Sequence, residues 1–321
     1  MFTKQHNFFR GKFKKFVLLL FLVGVSIEII LRISGYLYLS QLHYNNFVNS
    51  VNPSLQNINI VCLGESSTAG LWVDWNDSYP KQLEKKLRGT YKNDNIKIIL
   101  PAHIGQNTSQ ISNRIESRIK LYRPRLIVVM AGANNEWCLF ESNVVKFLHG
   151  YKKNVLGVKC LVFFGDFRLF KVLRYCYLSL LAQEKAEFCS AQKKSLLGDP
   201  QLTRWPIKQW VNNFAYTHEN EFVELWRYDV QKIIDAAKKH HVKILLMTYP
   251  APVYVSSKEF ISMAEKNGIP LVRNDDTFRP IFESGHSQEY FCKDNWHPNK
   301  KGYSLIATNV FECIRKYGLL D

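Results

Sequence analysis

Apolar and polar positions along this chain fall into blocks with two different periods. Residues 58–63 form a β-rich apolar run that stops at Gly64, and 96–100, 125–130, 242–248 and 269–273 are further short runs of the same kind. Between them lie stretches with helical spacing: 80–88, 109–122, 221–240, 257–267 and 302–317. In the second of these, Ile111, Ile115 and Ile119 recur every four positions. The run 125–130 is apolar almost throughout, as in a strand covered on both faces. Strand alternating with helix predicts right-handed βαβ units and a parallel five-stranded sheet with helices on both sides. Sites in such sheets lie at the carboxyl ends of the strands.

Two regions depart from this rhythm. From Phe16 to Tyr38 the chain is dominated by apolar residues, roughly 34 Å of helix at 1.5 Å per residue and enough to cross a bilayer. Glu28 and Arg32 interrupt it, but they stand four apart and meet on one helical face. Lys4, Arg10, Lys12, Lys14 and Lys15 precede the apolar core with no acid among them, which predicts a cytoplasmic N-terminus and an outward-facing remainder. Residues 35–41 offer no A-x-A cleavage pattern, so a single-pass anchor is favoured over a cleaved signal peptide or an interfacial amphipathic helix. The predicted organisation is a basic tail and anchor over 1–40, a polar Asn-rich linker over 41–57 and one domain over 58–321. Within that domain, residues 138–218 are an insertion. It interleaves Phe163, Phe164, Phe167 and Phe170 with Lys159, Arg168, Lys171 and Arg174. A satellite helical cluster on the sheet is the preferred reading, and a lid or a membrane-facing surface is the alternative.

Composition narrows the class. With 46% hydrophobic and 22% charged residues, 321 residues bury a core and are not a disordered tail. The net charge is +16, of which five units come from residues 1–40, with six basic residues and one acid. The rest reads as a solvated surface, with a positive outer domain facing an anionic membrane or polymer as the alternative, and no nucleic-acid-binding motif accompanies it. Seven cysteines without a C-x-x-C exclude zinc ribbons and thioredoxin-type sites. Cys176 and Cys189 are a candidate pair in an oxidising compartment. No metal or cofactor is expected. Asn76 and Asn107 head glycosylation sequons of the kind frequent by chance.

The candidate chemistry sits in four short segments. Strand one runs into Gly64-Glu65-Ser66-Ser67-Thr68, a turn that can present a serine nucleophile, although serine and threonine there also cap helices. Gly105 follows strand two and can bring its N–H close to a ligand. Asn134 follows strand three, where a turn asparagine is equally ordinary. Asp294 and His297 precede the last helix and have the chemistry of a base and its orienting carboxylate. Each is weak alone. Together they supply nucleophile, oxyanion donors, base and orienter, the set that acyl transfer needs.

These four segments resemble the blocks of the SGNH hydrolases, also called GDSL-type esterases and lipases. Ser66 matches the nucleophile, Gly105 the second-block glycine, Asn134 the third-block asparagine, and Asp294 with His297 the D-x-x-H pattern. The resemblance covers residues 58–135 and 242–317 and leaves the insertion unmatched. It implies a flavodoxin-like three-layer α/β/α sandwich, with Ser66, Gly105 and Asn134 as oxyanion donors. Glu65 stands where the family has aspartate, a change expected to matter little, and the block register favours Ser66 over Ser67. The implied activity is ester hydrolysis outside the cytoplasm on an O-acyl carbohydrate or a lipid. An O-acyltransferase acting on an envelope polysaccharide, and a non-catalytic anchored binding protein, are the alternatives.

Overall fold

The computed structural model describes residues 14–35, 37, 57–136, 138–150, 152–173, 176, 206–253 and 255–320. The linker 41–57, residue 57 excepted, and Cys189 lie outside the described residues. The chain divides into two compact units, residues 1–52 with 163–196, and residues 53–162 with 197–321.

The first unit contains helix α1 (Lys14–Gly35), long and apolar enough to cross a membrane. Length and composition of this kind also fit a signal sequence. Its apolar side chains from Phe16 to Leu22 are exposed. Arg32 and Glu28 pair at 2.7 Å across one turn.

The second unit is built on five parallel strands in the order β2-β1-β3-β4-β5. They are β1 (Ile58–Gly64), β2 (Ile96–Ile99), β3 (Leu126–Met130), β4 (Lys243–Met247) and β5 (Leu271–Val272). Every residue of β3 is buried, because helices cover both faces of the sheet. The helices are α2 (Ser66–Ala69), α3 (Tyr79–Tyr91), α4 (Thr108–Ser112), α5 (Ile115–Tyr122), α6 (Lys153–Gly165, of which 153–162 belong to this unit), α7 (Pro206–Thr217), α8 (Glu219–Lys239), α9 (Ser257–Asn267), α10 (Asn274–Glu283) and α11 (Lys300–Lys316). α3 packs against α11, while α8 packs against α4, α5 and α9. These two groups form the outer layers of the three-layer α/β/α sandwich. Strand order reverses between β1 and β3, so ligands are expected outside the carboxyl ends of those two strands. Register aligns Gly64 with Met130, which sets the two following loops side by side.

The structure corrects the sequence reading in three places. The helix expected over 109–122 is two helices, because the hydroxyls of Ser109 and Ser112 turn inward to Asp229 and the chain tightens at Asn113. The fifth strand is only two residues long. α10 was not anticipated: Pro280 reads as a breaker, yet it sits within the helix. Within the second unit, the described part of the insertion is a helical cluster. Leu139, Val144, Leu148, Val155 and Val158 of the insertion share an apolar core with Phe222 and Leu225 of α8.

Candidate active site

The turn that carries Ser66 depends on a glycine. A Cβ on Gly64 would stand 2.1 Å from Thr68 Oγ1 and 2.4 Å from the Met130 carbonyl oxygen, so only glycine lets the chain fold back at the strand end. The Thr68 and Ala69 amides then close on the Glu65 carbonyl at 3.0 and 2.7 Å. Ser66 is the first residue of the single-turn helix α2, which ends at Gly70 with φ +77°.

His297 arrives on a loop that closes on itself. Phe291 bridges to Pro298, and the Cys292 amide donates to the His297 carbonyl at 2.8 Å. The Asp294 carboxylate accepts four hydrogen bonds. Oδ1 takes the Trp296 and His297 amides, both at 3.0 Å. Oδ2 takes His297 Nδ1 at 2.6 Å and Trp72 Nε1 at 2.9 Å. With Nδ1–H given to the carboxylate, Nε2 keeps its lone pair and accepts the Ser66 hydroxyl, at 2.8 Å. It is Ser66, and not its neighbour Ser67, that meets the imidazole. Partial burial works against Asp294 ionising, but the His297 and Trp296 amides and the His297 ring outweigh it and hold the carboxyl below its usual range. Trp72 makes its contact from a left-handed backbone, φ +73°, which a bulky residue adopts at a cost of about 1–3 kcal/mol.

Gly105 has φ +74° in the turn before α4. Asn107 caps α4 with a reciprocal capping box to Gln110 and donates to the Cys138 and Phe140 carbonyls at 2.7 and 3.0 Å. Its side chain is buried and fully engaged, so the sequon at Asn107 is closed to glycosylation in the folded chain. Asn134 donates one Nδ2 hydrogen to the Gln106 carbonyl at 3.0 Å, which ties it to the loop that carries Gly105. A carboxamide has two N–H donors, and this contact uses one of them.

Two buried carboxyl groups support this edge, and neither was foreseen. Glu65 is 1% exposed. Its Oε1 accepts the Gly132 and Ala133 amides at 2.7 and 2.9 Å, and the Tyr249 hydroxyl lies 2.7 Å from both carboxyl oxygens. Burial pushes the carboxyl up to about 7, although Tyr249 and the two amides pull the other way. The residue expected to be incidental thus joins the Ser66 turn to the loop bearing Asn134 and to the end of β4. Asp229 of α8 is fully buried and accepts from Thr108 Oγ1, Ser109 Oγ, Ser112 Oγ and Asn143 Nδ2 at 2.6–2.9 Å. Thr108 in turn donates its amide to Asn135 Oδ1 at 2.9 Å. Each had a readable signal: Tyr249 follows a strand at its carboxyl end, and Asp229 stands on the apolar face of its helix between Trp226 and Ile233. Among the described residues, no three His, Cys, Asp or Glu side chains are grouped to hold a metal ion.

No family model and no curated protein matches this chain. Solved structures with a similar course of chain include the psychrotrophic esterase EstA from Pseudoalteromonas sp., 14% identical, with TM-score 0.45 over 81% of this chain and 98% of that one. The lipase/acylhydrolase from Enterococcus faecalis is 12% identical, with TM-score 0.44 over 81% of this chain and 96% of its own. The acetyl xylan esterase AlAXEase is 13% identical, with TM-score 0.44 over 80% and 100%. GDSL designations occur among the neighbours. At such identities and scores the likeness does not extend to the site or the reaction.

Proposed function

We propose that residues 58–321 are a serine ester hydrolase of the SGNH type, with Ser66, His297 and Asp294 as its triad. The observation that carries this reading is the continuous relay from Asp294 Oδ2 through the imidazole to Ser66 Oγ, at 2.6 and 2.8 Å. His297 Nε2 takes the hydroxyl proton as Ser66 Oγ attacks the ester carbonyl carbon. The developing oxyanion is received by the Ser66 and Gly105 amides and the second N–H of Asn134. The C–O bond breaks, and the imidazolium returns its proton to the departing alcohol. Water then attacks the acyl-serine, gives a proton to His297, and releases the carboxylic acid as Ser66 is restored.

The rim supports a carbohydrate O-acyl ester as substrate. Trp72, Trp75 and Trp296 are the exposed tryptophans among the described residues. Two of them contact Asp294, and the Trp75 turn is bound to the start of α11 through the Asp77–Lys300 ion pair. Flat indole faces set among charged groups suit a sugar ring, which is apolar on its faces and hydroxylated at its edges. α1 is read as a retained anchor, with the basic tail in the cytoplasm and the hydrolase outside.

The test uses the full-length chain in detergent. A fluorophosphonate probe should label the wild type and leave Ser66→Ala unlabelled, with p-nitrophenyl acetate turnover lost in parallel. Equal labelling of the two proteins refutes the mechanism.

A further inference from the structure

A charge inside an apolar span is costly unless it is matched. In α1 the matching goes beyond Arg32. Glu28 is only 8% exposed on a helix whose apolar residues are mostly open. Its Oε1 accepts the Arg168 amide at 3.0 Å, and its Oε2 accepts the Leu169 amide at 2.8 Å. Arg32 donates to the Asp166 carbonyl at 3.2 Å. Three hydrogen bonds therefore join the anchor to a segment some 140 residues away, within one compact unit.

That segment has the character of a membrane surface. Phe163, Phe164 and Phe167 form a ring cluster with centroids 5.2–6.2 Å apart. Phe163 and Phe164 are nonetheless 60% and 52% exposed, and Val172 and Leu173 are exposed beside them. Arg168 and Lys171 lie among these apolar groups, where long basic stems can carry their charge out to lipid phosphates. Glu28 is seven residues from the end of α1 at Gly35, roughly 10 Å along the helix axis. That is the depth at which interfacial elements rest. Water would satisfy the Arg168 and Leu169 amides of an immersed segment; lipid would not, and a carboxylate inside the span does.

We propose that residues 163–173 form a second membrane element, set into the outer-leaflet interface and clamped to the anchor by Glu28. The inference rests on the reading of α1 as a retained anchor. It also gives the insertion a task, because removal of α1 would strip the partner from both amides. The occupant of the exposed aromatic face is the lipid bilayer, since the segment that bears it is hydrogen-bonded to an apolar helix of spanning length and carries basic residues suited to anionic headgroups.

The full-length chain, reconstituted in phosphatidylcholine/phosphatidylglycerol vesicles, provides the test. A benzophenone amino acid is placed singly at Leu20, Phe164 or Tyr216, and lipid adducts are measured by mass after irradiation. Leu20 and Phe164 should yield adducts and Tyr216 should not. Glu28→Gln should reduce the Phe164 adduct roughly fivefold, the weight of about one lost hydrogen bond, and leave the Leu20 adduct intact. Glu28→Asp should restore part of it. Adducts at Leu20 without any at Phe164 overturn the proposal and spare the anchor. No adduct at either position overturns the anchor reading itself. A Phe164 crosslink to a second copy of the chain replaces lipid with protein as the occupant, and a Phe164 adduct indifferent to Glu28→Gln removes the clamp.

Discussion

Asp294 and Glu65 border the same serine, and each carboxyl has four hydrogen-bond contacts, yet they behave oppositely. Asp294 lies at the rim, partly open to water, and its donors hold its carboxyl below the usual range. Glu65 lies buried beneath the turn, and burial lifts it to about 7 despite its donors. The number of hydrogen bonds does not decide the charge state. Access to solvent does, together with the charge that the donor itself can carry: an imidazole becomes a cation, whereas a phenol and two amides do not. On the proposed mechanism, the first carboxyl stabilises the charge that appears on His297 during turnover. The second is suited to holding two loops together.

The largest expected effect breaks the first half of this comparison. Asp294→Asn keeps the size and loses the charge, and kcat on p-nitrophenyl acetate should fall about 10⁴-fold through the wrong histidine tautomer. A loss below tenfold would remove Asp294 from the relay. Next comes Asn134→Ala, which should slow turnover by ~10²–10³ and sets the ceiling for anything Glu65 does through that loop. Glu65→Gln sharpens the second half. Because the folded-state pKa of Glu65 is raised from 4.5 to about 7, its contribution to stability is full below 4.5 and is lost as pH rises through 7. The wild type should therefore lose Tm relative to Glu65→Gln across that interval; parallel Tm profiles would show that Glu65 titrates normally. Asp294 has the opposite sign: its contribution is present above 3.8 and is lost as pH falls through its lowered pKa. The smallest effect belongs to Trp72→Phe, which removes one of four donors to Asp294 and should lower kcat roughly threefold to tenfold.

What could be read in advance follows from where each signal resides. β1, β3 and β4 stand out because residues buried on both faces leave apolar runs, with Asn59 of β1 and Lys243 of β4 as the polar exceptions. Ser66, Asn134, Asp294 and His297 stand out because each occupies a strand end or a helix start, positions that are local in the sequence. The roles of Glu65, Tyr249, Asp229 and Trp72 are not local. Glu65 and Tyr249 meet across 184 positions, and Trp72 and Asp294 across 222, so their partners exist only once the sheet has formed. The same holds for Glu28, whose second set of partners lies 140 residues away.

The span between Ser66 and His297 has a consequence for biosynthesis. The imidazole is encoded 231 positions after the hydroxyl it meets. At about 5–20 residues per second, the serine leaves the ribosome roughly 10–50 s before its base is made. On the proposed mechanism the nascent polypeptide is silent toward esters through that interval. By the same mechanism, a product that ends before residue 297 carries a serine with no imidazole to deprotonate it.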